Sequence, residues 1–129
     1  MARSGGRSQG SNTFARYWLP VLAYVGVIFY LSAQPHLQSP FGFAQGDKLA
    51  HLLEYGGLGV LLHRALRGTT DLGRPASTAL VAVTIGMVIG LGDELFQRHV
   101  PGRESSAFDF FADTVGLSLA QLVALLFGR

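Results

Sequence analysis

The feature that most constrains this chain is a series of long apolar runs that are almost free of charge. Residues 75–92 contain no charged side chain over 18 positions, and residues 17–33 contain none either. A helix needs roughly 20 apolar residues to cross the hydrocarbon core of a bilayer. With 49% hydrophobic and 14% charged residues, the chain has too few polar side chains to cover a soluble domain of its size. The runs therefore predict an integral membrane protein.

Two further runs complete a set of four predicted helices. Residues 47–66 carry charge only in their first half and at Arg64, and residues 106–127 carry none after Asp113. Both reach membrane-spanning length only if their polar first turns are included. The predicted fold class is all-α, an integral membrane four-helix bundle in the cell membrane, formed by residues 14–129. Residues 1–13, rich in Ser, Gly and Arg, are expected to form a disordered basic tail.

Composition also bounds the chemistry and the partners. The net charge is only +2, and no basic patch with interleaved aromatic residues is present, so a nucleic-acid partner is not predicted. The absence of cysteine excludes disulfides and thiolate chemistry. The first apolar run follows arginines and ends in a sequence that loosely resembles a signal-peptidase site. A cleaved signal peptide is therefore the alternative to a retained first helix, the interpretation that we favour.

The distribution of basic residues predicts the topology, because cytoplasmic loops are enriched in Lys and Arg. One side of the predicted bundle carries Lys48, Arg98 and Arg103. The other side, which holds both termini and the 64–75 loop, carries seven arginines: Arg3, Arg7, Arg16, Arg64, Arg67, Arg74 and Arg129. This asymmetry places both termini in the cytoplasm and the 34–47 and 97–106 loops outside.

Acidic residues have the opposite distribution. Of the eight, only Asp71 lies on the cytoplasmic side of this topology. The seven at or near the outer side are Asp47, Glu54, Asp93, Glu94, Glu104, Asp109 and Asp113. Residues three or four apart share a helix face, so Asp47, His51 and Glu54 are expected to line one face of the second helix. The spacing thus predicts that polar groups from several helices converge at the outer end.

Small residues follow the same faces as these acids. On the third helix Gly86 and Gly90 form a GxxxG pattern on the face of Asp93 and Gln97, and on the fourth helix Gly116 shares the face of the acids. Small residues mark helix–helix contacts in membranes. We therefore expect the acids on the packed side of their helices, away from lipid. Ser105 or Ser106 is expected to cap the fourth helix.

Two interpretations of the converging acids are open. Ionised carboxylates inside a membrane are costly unless they are paired or hydrated, so one interpretation is a structural clamp that pins three helices together. A clamp needs balanced charge, yet seven acids face three bases, and this excess favours a binding or catalytic site. The candidate catalytic residues are His51, Glu54, Asp93 and Asp113. The candidate ligand-binding residues are Asp47, Lys48, Tyr55, Glu94, Gln97, Arg103 and Asp109.

Two stretches of the sequence resemble the VanZ-like family of integral membrane proteins. "DKLAHLLEYGGLG" (47–59) fits a D-K-x-x-H-x-x-x-Y-x-x-L-G pattern, and "GDELFQRHVPGRESSAFDFFADTVG" (92–116) fits the D-E-x-x-Q, P-x-R and D-x-x-x-N/D-x-x-G patterns. Asp113 stands where the family often has Asn, which adds a charge or a proton. The resemblance covers residues 17–127 and implies a four-helix membrane protein with a polar outer site. It also implies a role in the cell envelope or in resistance to teicoplanin, the glycopeptide with which the family's name is linked.

Three functions are compatible with these residues. The favoured one is a binding module for membrane lipids, such as a lipid-linked cell-wall precursor, or for a lipoglycopeptide, in which Lys48 and Arg103 hold a phosphate and the acids hold hydroxyls or an amine. The alternative is a membrane-embedded hydrolase or transferase acting on an envelope lipid. In that case His51 or Glu54 is the general base, while a metal or a shared proton is held by Asp93, Glu94 and Asp113.

A transporter or channel subunit is the third possibility, and it is disfavoured because no polar face continues toward the cytoplasm past Leu58, Gly90 or Gly116. The sequence defines no particular cofactor, metal or oligomeric state.

Overall fold

The computed structural model describes residues 5–34, 46–102 and 106–127, and all regular elements in these ranges are α-helices. They are α1 (Gly5–Ser32), α2 (Gly46–Thr69), α3 (Pro75–Gln97) and α4 (Ala107–Phe127). The predicted all-α class and the four predicted helices are confirmed. The helix α1 begins at Gly5, within the segment 1–13 that was expected to be disordered, because a helix that is already formed extends at little cost. Residues 1–4 lie outside the described residues.

Three of the four helices are long and apolar enough to cross a membrane. They are Asn12–Ser32 within α1, the whole of α3 and the whole of α4. The length of α2 is not the limit, since 24 residues extend over about 36 Å and the hydrocarbon core is roughly 30 Å thick. It differs from the others because charged residues lie both in its first turns and near its end. A fourth crossing by α2 stays a prediction.

The polar helix α2 makes the most extensive helix–helix packing within the described residues. It packs against each of the other three helices, whereas the backbones of α1 and α4 do not approach each other within the described residues. Tyr55, Leu58, Leu62 and Ala65 of α2 are fully buried. The three apolar helices therefore cover the face of α2 that carries these residues, whereas Leu53 and Val60 of α2 are 54% and 53% exposed.

The outward faces of the apolar helices carry large hydrophobic side chains. Leu80 of α3 and Phe111 of α4 expose 69% and 67% of their surfaces, whereas Asp93 and Asp113 expose 1% and 0%. Soluble proteins show the opposite arrangement, with charged groups outside and large apolar groups inside. Apolar side chains outside and carboxylates inside are what a lipid environment requires, and they confirm that the acids lie on the packed side of their helices.

The helices α2 and α4 approach each other closely at Gly116. A Cβ atom at this position would overlap the carbonyl oxygen of Leu52 and lie 3.0 Å from the backbone nitrogen of Gly56. On α3, Gly86 and Gly90 likewise face side chains of α4. The predicted role of these small residues at helix contacts is confirmed, and it brings the acids of α3 and α4 within reach of α2.

Replacing Gly116 by Ala should lower the free energy of unfolding by about 1–3 kcal/mol, the typical cost of overpacking a core, because the added methyl group must push α4 away from α2. Gly26→Ala is the matched control, since a Cβ atom at Gly26 meets nothing within 4 Å and Ala is the better helix former. Denaturant unfolding in detergent micelles, followed by circular dichroism, measures both changes. Equal stability of the two variants would contradict the close α2–α4 contact.

Candidate functional site

The polar residues that were predicted to converge lie together at one end of the bundle, which we call the polar end. This end is built from the first turns of α2 and α4 and the last turns of α1 and α3. The predicted residues found there are Lys48, His51, Tyr55, Asp93, Glu94, Gln97, Asp109 and Asp113. Their hydrogen bonds and ion pairs divide them into two groups, one around Asp93 and one around Asp109.

The Asp93 group consists of Ser32, Tyr55, Asp93 and Gln97. The Tyr55 hydroxyl donates to Asp93 Oδ2 at 2.9 Å, and the Ser32 hydroxyl donates to Asp93 Oδ1. Gln97 Nε2 donates to the Ser32 oxygen at 3.1 Å. All four residues are buried, and they come from α1, α2 and α3. This group therefore joins three helices and gives both oxygens of the Asp93 carboxylate a donor.

The Asp109 group consists of Lys48 and His51 of α2 and Asp109 and Asp113 of α4, together with Glu94 of α3, which has a carboxylate oxygen within 4.8 Å of ligand atoms of His51 and Asp109. Lys48 Nζ lies 2.7 Å from Asp109 Oδ1. The His51 ring lies between two acids, with Nδ1 2.8 Å from Asp113 Oδ1 and Nε2 4.0 Å from Asp109 Oδ2. His51 thus occupies the centre of the group.

Local sequence explains how Asp109 reaches this position. The helix α4 begins at Ala107, and the preceding residue Ser106 accepts a hydrogen bond from the backbone N–H of Asp109 at 3.3 Å. This is the geometry of an N-cap, and it confirms the predicted capping by Ser106. The carboxylate of Asp109 then lies in the first turn of α4, where the partial positive charge of the helix N-terminus stabilises an anion.

The two groups differ in their access to the surface. The side chain of Lys48 is 31% exposed and that of His51 is 12% exposed, whereas every member of the Asp93 group is buried. Beside Lys48, an apolar groove of about 670 Å³ lies between α2 and α4. Its walls are formed by Leu49, Leu52, Phe108, Phe111, Ala112 and Val115. The Asp109 group is therefore next to an apolar surface that is open to the membrane.

Three side chains of the polar end are placed as potential metal ligands. His51, Glu94 and Asp109 each offer one ligand atom, and these atoms lie within 4.8 Å of one another. Ligating histidines usually hydrogen-bond a carboxylate through their second ring nitrogen, and Asp113 is in that position relative to His51. The sequence had suggested Asp93 among the ligands, but both of its oxygens already accept hydrogen bonds.

Two buried side-chain oxygens at the polar end lack a hydrogen-bond donor among the described residues. Asp113 Oδ2 and Gln97 Oε1 accept no hydrogen bond from the residues that the structure describes. A buried acceptor of this kind costs about 1–3 kcal/mol relative to a satisfied one. A hydrogen-bond donor brought to either oxygen would therefore be stabilising.

The remaining predicted residues are placed less centrally. Glu54 lies one turn beyond His51 and is partly buried, and its backbone carbonyl accepts a hydrogen bond from the Tyr24 hydroxyl at 2.5 Å. The side chain of Asp47 and the whole of Arg103 lie outside the described residues. Their predicted roles in ligand binding stay predictions.

Sequence reasoning missed the interhelical hydrogen bonds made by two neutral polar residues, Ser32 and Gln121. Ser32 bonds Asp93, and Gln121 Oε1 lies 2.7 Å from Nδ1 of the buried His63. Gln121 Nε2 also donates to the Gly59 carbonyl at 3.0 Å. A single amide in the otherwise apolar second half of α4 is a usable signal, because polar side chains inside membrane helices find interhelical partners.

Tyr55→Phe should lower the free energy of unfolding by about 1–3 kcal/mol, because it leaves the buried Asp93 Oδ2 without its donor. The control is Tyr30→Phe, where 66% of the residue is exposed and the change should be within about 0.5 kcal/mol. Thermal or denaturant unfolding in micelles measures both. If Tyr55→Phe were as stable as the control, the Asp93 group would not be a structural link between helices.

Comparisons with known proteins place this architecture in a family. A family model described as VanZ/LLP1 matches residues 5–128, nearly the whole chain. The chain is also 32% identical, over 100 residues, to an uncharacterized protein of Schizosaccharomyces pombe, with 78% of this chain and 57% of that protein covered. The chain thus spans little more than half the length of this relative. No solved structure matches the chain. The match to the family model includes all four helices with both groups of the polar end, and the chain belongs to the VanZ/LLP1 family.

Proposed function

We propose that this membrane protein binds an amphipathic lipid or lipoglycopeptide at the polar end, with the ligand's head at the Asp109 group and its acyl chain in the groove between α2 and α4. One observation carries the proposal. The Asp109 group, in which Asp109 is buried and Lys48 is partly exposed, adjoins an apolar groove of about 670 Å³, and Lys48 belongs to both. Sites for small ligands typically combine a mostly apolar concave surface with a few convergent polar groups.

The chemistry of the head follows from the charges. The Lys48 ammonium can bind a phosphate, while the carboxylates of Glu94, Asp109 and Asp113 accept hydrogen bonds from hydroxyl or amine donors, and such charge-assisted bonds are the stronger class. Acids outnumber bases in the described part of the polar end, which favours a head that supplies several donors. A lipid-linked cell-wall precursor has this chemistry, and so does a lipoglycopeptide.

The two earlier interpretations, clamp and site, apply to different residues. The carboxylate of Asp93 is buried, and both of its oxygens accept hydrogen bonds. We therefore assign Asp93, Tyr55 and Gln97 to holding the helices in place around the ligand. The residues that contact the ligand are assigned to the Asp109 group, where Lys48 and His51 reach the surface.

The direction in the membrane is part of the same proposal. Within the described residues, four arginines lie at the end opposite the polar end: Arg16, Arg64, Arg67 and Arg74. On the positive-inside rule we propose that this end faces the cytoplasm and the polar end faces outward. An outward-facing lipid site suits a contribution to envelope homeostasis or to teicoplanin resistance.

Asp109→Asn should reduce ligand occupancy at the polar end by about 10-fold or more, because charge-assisted hydrogen bonds contribute about 1.5–3 kcal/mol. Asp71→Asn is the matched control, since it removes the same charge from an exposed residue between α2 and α3. Native mass spectrometry of protein purified in mild detergent detects co-purifying lipid in both. A wild-type spectrum without bound lipid, or equal loss in both variants, would sink the proposal.

The second candidate function is a metal-dependent hydrolase or transferase acting on the same lipid, and the placement of His51, Glu94 and Asp109 favours it. One nitrogen and two carboxylate oxygens form a ligand set found for divalent transition metals. A metal held there would polarise a phosphoryl or carbonyl oxygen of the head. In the binding proposal, the same three residues contact the head directly.

Zinc addition separates the two candidates. If a metal site is present, Zn²⁺ at 100 times its dissociation constant should stabilise the wild type by about 2.7 kcal/mol, read as a rise in Tm. His51→Ala should abolish the rise, and the exposed His99→Ala should keep it. If Zn²⁺ does not raise the Tm of the wild type, or raises the Tm of all three proteins equally, the metal-dependent candidate is excluded and lipid binding without a metal remains.

A further inference from the structure

We propose that the end opposite the polar end carries a second lipid site, which binds the phosphate head of an anionic phospholipid. The site is a groove of about 680 Å³ between α1, α2 and α4, which we call the arginine groove. Its polar lining consists of Arg16, Tyr17, His63, Arg64 and Arg67. These residues are separate from the Lys48 and Asp109 region, so this proposal does not depend on the function proposed above.

The lining of the arginine groove contains three arginines and no acidic residue. Within the described residues, no acid forms an ion pair with Arg16, Arg64 or Arg67. The described acid at this end is Asp71, which lies between α2 and α3 and accepts a hydrogen bond from the backbone N–H of Gly73 at 3.1 Å. An anionic ligand would therefore meet three guanidinium groups, the side chains best suited to phosphate.

Aromatic residues place the groove at the level of the lipid heads. Trp18 follows Tyr17 in α1, and its indole N–H donates to Thr69 Oγ1 at 2.9 Å. The Arg64 guanidinium lies 4.7 Å from the centre of the Tyr17 ring. Trp and Tyr of membrane proteins concentrate at the boundary between hydrocarbon and head groups. The arginines next to these rings are therefore at the depth of the phosphates.

Parts of the groove are held in place before a ligand arrives. The ring of Tyr17 packs directly on Gly68, where any side chain would overlap it. The same ring contacts the Arg64 guanidinium, which lies 4.7 Å from the ring centre. Gln121 Nε2 donates to Gly59, so Gln121 Oε1 accepts from Nδ1 of His63. This hydrogen bond fixes the orientation of the His63 ring at the groove. Preorganisation of this kind lowers the entropic cost of binding.

The remaining walls indicate a lipid and not a soluble anion. They are formed by Val60, Ala120, Val123, Ala124 and Phe127. Because the backbones of α1 and α4 do not approach each other, the groove is open sideways, toward the bilayer. Basic pockets between membrane helices bind the heads of anionic phospholipids. The combination of arginines and an apolar, laterally open wall suits a phosphate head with its acyl chain attached.

The test is lipid binding to the full-length protein in detergent, measured by native mass spectrometry with phosphatidylglycerol and phosphatidylcholine as probes. Arg64→Gln/Arg67→Gln removes two groove charges. Arg74→Gln/Arg98→Gln removes the same charge at exposed positions outside the groove. Ala124→Phe narrows the groove and leaves every charge in place, so it covers the case in which the first variant does not fold.

We expect the wild type to bind phosphatidylglycerol at least tenfold more tightly than phosphatidylcholine. Arg64→Gln/Arg67→Gln and Ala124→Phe should each weaken phosphatidylglycerol binding about tenfold, and the control should change it less than twofold. Equal binding of the two lipids would overturn the proposal, as would equal weakening by groove and control variants. Displacement of the lipid by inorganic phosphate alone would also overturn it, because the groove would then select a soluble anion.

Discussion

The structure depends on the need to keep the ionisable residues of α2 out of lipid. The first three turns of α2 contain Asp47, Lys48, His51 and Glu54, and each charged group facing hydrocarbon at mid-membrane depth would cost about 2.5–3.5 kcal/mol on insertion scales. Packing of Lys48, His51 and Glu54 against the apolar helices lowers this cost, but only if those helices approach closely. Gly116, whose Cα lies against the backbone of α2, permits that approach. Small residues and buried acids therefore occur on the same helix faces for one physical reason.

The directions of the helices explain why the acids of the polar end need two different groups of partners. The helices α2 and α4 begin there, so their N-terminal dipoles stabilise Asp109. The helix α3 ends there, and its C-terminal dipole disfavours the carboxylates of Asp93 and Glu94. Asp93 is compensated by two hydroxyl donors, Ser32 and Tyr55, which belong to other helices. The donors that stabilise this carboxylate thereby also hold α1, α2 and α3 together.

Sequence periodicity was sufficient to predict the convergence of the acids, since spacings of three and four residues and the glycines of α3 and α4 both define helix faces. It could not predict which acid meets which partner. Asp93 and Glu94 are adjacent in sequence and point about 100° apart on a helix, so only the rotation of α3 decides that Glu94 faces His51. Hydropathy also could not predict that α2 packs against all three other helices, because it measures the composition of a helix and not what surrounds it. Ser32 was missed because one hydroxyl at the end of an apolar run has no periodic signal.

The two ends of α2 lie too far apart to serve one ligand. Lys48 and Arg64 are separated by about 24 Å along the helix, in a bilayer whose hydrocarbon core is roughly 30 Å thick. A phospholipid occupies one leaflet, so the polar end and the arginine groove would bind different molecules in opposite leaflets. Between the two sites Gly116 packs on the backbone at Leu52 and Gly56, and sliding α4 along α2 would break this contact. In the two proposals α2 is therefore the spacer between the sites, and its packing on Gly116 sets their separation.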